Sequence, residues 1–111
     1  MPRQRILSKM KRIEIVVESA QVDAIIALIQ PHATGYTLIP GATGFGEHGH
    51  FSGAMVVLVS VVTSDHLEAI VDAIWPSLRQ RANIVLITDV EVLRPEHFIP
   101  EVRAASATSK I

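Results

Sequence analysis

Residues 35–53 hold the groups best suited to meeting a ligand. All six glycines of the chain lie there, Gly35, Gly41, Gly44, Gly46, Gly49 and Gly53. Glycine lacks a Cβ, so it enters left-handed turns without penalty and lets backbone N–H groups approach a ligand closely. Within the stretch, Glu47-His48-Gly49-His50 sets two imidazoles two residues apart. On extended backbone these project to one side and, with Glu47, could share a divalent cation. No third histidine stands at a fixed spacing, and a zinc site needs a closed ligand set, so a metal on Glu47, His48 and His50 is the second reading. His32, His66 and His97 suit surface or helix-capping positions. Catalysis has less to build on. The chain has no nucleophile elbow, P-loop, zincin histidine pair or spaced carboxylate dyad, and no enzyme is predicted. Slow hydrolysis of a bound phosphate by His48 with Glu47 is the weakest reading of the three.

The chain as a whole bounds the rest. Its 111 residues fit one domain. Mean hydropathy is positive although aromatics are few, which predicts apolar surface buried between subunits. A formal charge of −1 gives no broad field to attract nucleic acid or an anionic membrane. The longest apolar run, 54–59, is too short to cross a bilayer, and the start lacks a secretory apolar core. With no cysteine there is no disulfide framework, so a cytoplasmic location is expected.

The elements that must position the glycine stretch follow from periodicity. Residues 1–11 carry Arg3, Arg5, Lys9 and Lys11 without apolar pattern and read as a basic flexible arm; Met10 offers an alternative translation start. A first strand is predicted over 12–18 from β-branched alternation. A first helix follows over 20–30, capped by Ser19, with Val22, Ile25, Ile26 and Ile29 at helical spacing and Pro31 as the stop. Tyr36 to Ile39 read as a short second strand interrupted by Pro40-Gly41, and 54–62 as a central third strand apolar on both faces. Thr63 and Ser64 can cap a second helix whose stripe is Leu67, Ile70, Val71, Ile74, Trp75 and Leu78, with Pro76 ending or breaking it. Residues 84–93 form a fourth strand and 99–111 a flexible tail. Domain 12–98, with its loop 41–53, therefore reads βαββαβ: an α+β ferredoxin-like sandwich with both helices on one face of the sheet. The opposite face, being apolar, needs a cover, and another copy's sheet is the simplest.

Thr34-Gly35-Tyr36-Thr37-Leu38 followed by Gly44-Phe45-Gly46 resembles the base of the mobile loop in the PII signal-transduction superfamily, and Val90-Glu91-Val92-Leu93-Arg94 is similar to its arginine-bearing stretch before the C-terminal loop. Among its members the chain most resembles the short PII-like proteins associated with carboxysomes or bicarbonate transport. The resemblance implies a homotrimer with an adenine nucleotide in each intersubunit cleft. Gly35 and Thr37 would face the base, while Gly44, Phe45, Gly46, Glu47 and His48 would form the loop base at the phosphates. Consecutive amides at a glycine turn do form an anion-binding concavity. Arg79, Arg81 and Arg94 are the implied counter-charges, since a guanidinium fork matches phosphate geometry.

The chain departs from nitrogen-type PII proteins in ways that bear on the ligand. Residues 41–53 contain no modifiable tyrosine, Glu47-His48 replace an Arg-Gln pair, and 79–83 lack the usual Gly-Lys. These changes favour ADP or AMP over ATP with magnesium. The resemblance further implies a regulator of inorganic carbon, with bicarbonate as a co-ligand and a transporter or carboxysome component as partner. The divalent-cation-tolerance family builds trimers of the same topology, so the metal reading has its own family parallel.

Overall fold

A computed structural model of the chain describes residues 7–43, 45–46, 49–50, 54–79 and 83–94. Strand β1 (Ser8–Glu18) leads into helix α1 (Ser19–Ile29) and a 3-10 turn (Gln30–His32). Strand β2 (Thr37–Ala42) is followed by two-residue strands β3 (Phe45–Gly46) and β4 (Gly49–His50), then β5 (Met55–Val62), helix α2 (Ser64–Leu78) and β6 (Ile84–Val92). The main sheet has the order β2-β5-β1-β6, every neighbouring pair antiparallel, and β3 pairs with β4 in a separate hairpin. This is the α+β sandwich that the sequence predicts.

The register divides the sheet into two faces. Ile13, Ile15 and Val17 of β1 share one face with Leu58 and Val62 of β5, and they pack with Ile25 and Ile29 of α1 and Leu67, Ile70 and Ile74 of α2 into the core. The opposite face carries Val16 of β1, Val57, Val59 and Val61 of β5, Ile39 of β2, and Ile84 and Leu86 of β6. No helix of the described residues covers it: Ile39, Ile84 and Leu86 are each about half exposed. Arg12 and Glu14 also lie here, joined at 2.7 Å, and the buried Arg12 Nε has no hydrogen-bond partner among the described residues.

Several boundaries differ from expectation, each for a physical reason. Ser8 to Lys11 belong to β1 rather than to a basic arm, because Lys9 and Lys11 fall opposite Glu91 and Asp89 of β6, and cross-strand charge pairs take the place of apolar pattern. Ser19 does not cap α1 with its side chain. It is the first helical residue, and both its N–H and its hydroxyl donate to the Ala54 carbonyl at 2.9 Å, tying the helix start to the foot of β5. Pro40-Gly41 does not interrupt β2. Gly41 takes φ +78° and absorbs a bulge between Pro40 and Ala42, while an edge strand tolerates a proline that cannot donate.

Helix α2 begins as expected, with the Thr63 hydroxyl accepting from the His66 N–H at 3.4 Å. Pro76 does not end it. The helix runs on to Leu78, whose half-buried side chain still packs against the core. Trp75 is not part of the buried stripe: it stands on the flank of α2, 56% exposed.

Candidate functional site

The elements around the glycine stretch converge on one end of the sheet. Met55 of β5 lies opposite Glu18 of β1, and Ile84 of β6 opposite Val16, so the glycine stretch before β5 and the 79–83 segment before β6 share that end. Gly41 bends β2 at its bulge, one residue before the strand ends, and the β3/β4 hairpin sits within the stretch, with Phe45 opposite His50 and Gly46 opposite Gly49. Part of the expected loop 41–53 is thus paired backbone.

Gly35 and Thr37 lead into β2. Gly35 is exposed, its φ is not left-handed, and a Cβ added to it would meet nothing within 4 Å. Neither turn geometry nor packing within the chain therefore calls for glycine here, whereas an approaching ligand would. Its carbonyl accepts from the Ser60 hydroxyl at 2.7 Å. Thr37 is exposed opposite Val59, beside the 40%-exposed Tyr36.

Arg79 follows α2 at the glycine end, exposed, its N–H donating to the Trp75 carbonyl at 3.3 Å. Asn83 donates its side-chain N–H to the Leu78 carbonyl at 3.3 Å and so helps close the helix end. Arg94 lies elsewhere. It follows β6, whose Val92 pairs with Ser8 at the opposite end of β1. At about 3.3 Å per residue, the length of β6 separates it from the glycine end by roughly 30 Å. Arg94 also holds φ +58° immediately before Pro95, a strained setting for a residue with a Cβ.

Gly44, Glu47, His48 and Arg81 lie outside the described residues, as do the side chains of Phe45 and His50. The metal reading on Glu47, His48 and His50 falls there too; among the described residues no three His, Asp or Glu side chains cluster for a metal. A depression of about 400 Å³ lies at the far end of the sheet, lined by Lys9, Lys11, Ser64, Asp89 and Glu91. Lys11 donates to the Asp89 carboxylate there, and this hydrogen bond, with the lysine's charge, holds the Asp89 pKa below the usual carboxylate value. No helix of the described residues is long and apolar enough to cross a membrane.

A sequence model of the family described as nitrogen regulatory protein P-II matches residues 10–97. The chain belongs to the P-II family. No curated protein sequence matches it. Among solved structures, this P-II protein is similar to CPII, a nitrogen regulatory PII-like protein from Thiomonas intermedia K12 bound to ADP, AMP and bicarbonate. Identity is 23%, covering 86% of this chain and 99% of CPII, with a TM-score of 0.81. The same Thiomonas protein bound to ADP and bicarbonate superposes with a TM-score of 0.80. A PII-like signaling protein from Thermus thermophilus is 26% identical, over 83% of this chain and 97% of that one, with a TM-score of 0.70. P-II proteins are regulatory signalling proteins, and the fold of this chain is theirs.

Ser60 is not among the residues that type and spacing single out in the sequence. Its signal was present, as the one hydroxyl in the apolar run 54–62.

Proposed function

We propose that this P-II protein is a homotrimeric regulator that binds an adenine nucleotide, ADP or AMP before ATP, in clefts between its subunits. One observation carries the proposal: β2, an edge strand, delivers the loop base at Ala42 to the Met55 end of the sheet, whereas Arg94 follows β6, the opposite edge strand, at the other end. A nucleotide touching both must lie between two copies. The uncovered apolar face supplies the surface for assembly. In this reading Gly35 and Thr37 meet the base, Gly44 to His48 and Arg79 and Arg81 meet the phosphates, and Arg94 comes from the adjacent copy.

Binding shifts the population of the 41–53 segment toward the conformation that contacts the nucleotide, and that surface is offered to a partner. The bicarbonate bound to CPII supports bicarbonate as co-ligand and a role in inorganic-carbon regulation; a transporter or carboxysome component as partner, in the cytoplasm, completes the reading by family resemblance.

Calorimetric titration with AMP, ADP and ATP, with and without bicarbonate and after chelator treatment, tests the proposal. Saturable binding of one nucleotide per subunit, unaffected by the chelator, is expected. Arg94→Ala weakens it by about 1–3 kcal/mol if the guanidinium is a desolvated phosphate partner. Absence of nucleotide binding, with tight zinc uptake lost on changing His48 and His50, would favour the cation reading instead.

A further inference from the structure

Ser60 is the one buried polar side chain among the described residues, 2% exposed. It faces the helices, between Leu58 and Val62, both fully buried, and stands opposite Ile13. A hydroxyl in such a place forgoes apolar burial and needs a partner. Its partner is the Gly35 carbonyl, at 2.7 Å and 25 residues away in sequence.

The position of that bond matters. The register between β2 and β5 begins at Thr37 opposite Val59. The Ser60 hydroxyl extends the attachment beyond the last paired residue, to the segment just before the strand. Within that segment a Cβ added to Gly35 would meet nothing within 4 Å and Tyr36 is 40% exposed, so the Ser60 bond reaches a backbone otherwise open to solvent. We infer that Ser60 is a positioning residue for the ligand site: by fixing the Gly35 carbonyl it sets the backbone of 35–37 at the distance from which it meets the base. This rests on the nucleotide reading above.

Ser60→Thr and Ser60→Val test it together, because the two side chains have nearly the same shape and differ in the hydroxyl. The loss of one hydrogen bond predicts that the valine variant binds nucleotide roughly 3- to 10-fold more weakly than the threonine variant. The factor is the same for AMP, ADP and ATP, since the segment serves the base and not the phosphates. Amide hydrogen exchange at Tyr36 and Thr37 in the unliganded protein is faster in the valine variant. Equal affinities, or a loss that grows with phosphate number, overturn the inference. If the natural chain binds no adenine nucleotide, the nucleotide reading fails, and the exchange rates alone then decide whether Ser60 holds the segment.

Discussion

Lys11 of β1 stands directly opposite Asp89 of β6, and its ammonium donates to the Asp89 carboxylate. The pair anchors the part of β1 that lacks apolar pattern. Because the Asp89 pKa is depressed in the folded chain, the pairing contributes stability above the unfolded carboxylate pKa of about 4, and that contribution is lost as pH falls through the folded value. Lys11→Met should return the Asp89 titration midpoint toward the ordinary carboxylate range, read by NMR, and reduce the acid-side fall in melting temperature. The effect on stability is small, since Asp89 is largely exposed.

Gly35→Ala separates folding from binding. Its backbone is not left-handed and the added methyl meets no neighbour within the chain, so the unfolding free energy should change by less than about 1 kcal/mol. Where a base packs against this backbone, the same methyl costs about 1–3 kcal/mol of binding. Denaturant melts and nucleotide titrations on the one variant check both halves.

Gly41→Ala has the opposite character. At φ +78° a side chain strains the bulge, and a loss of about 1–2 kcal/mol is expected from the denaturant midpoint. Gly41→Asn, which tolerates this region better, recovers part of the loss.

Val57→Asp tests the uncovered face. Val57 lies opposite Val16 and Ile39 and outside the helix-facing core, so the single chain should remain folded while the assembly fails. Light scattering should show the mass fall from three copies to one. An unchanged mass would remove this face from the assembly.

Most of the fold was legible because the core elements obey simple periods: Ile13, Ile15 and Val17 alternate, and Leu67, Ile70 and Ile74 recur at helical spacing. What escaped depends on partners distant in sequence. The strand character of Ser8 to Lys11 comes from Asp89 and Glu91, and the continuation of β2 through Pro40 comes from its place at the sheet edge. For the site, the exposed glycine at 35 could be picked out by residue type, while its tether to Ser60 needed the sheet register. That Arg94 and the glycine stretch occupy opposite ends of one chain also follows only from the direction of β6.

Pro76 has no N–H to give to the carbonyl of Asp72, one turn earlier, so α2 lacks one rung of its ladder near its end. The final turn is therefore held by one backbone hydrogen bond fewer than the turns before it, and the packing of Leu78 and the Asn83 amide on the Leu78 carbonyl make up the attachment that sets where Arg79 leaves the helix.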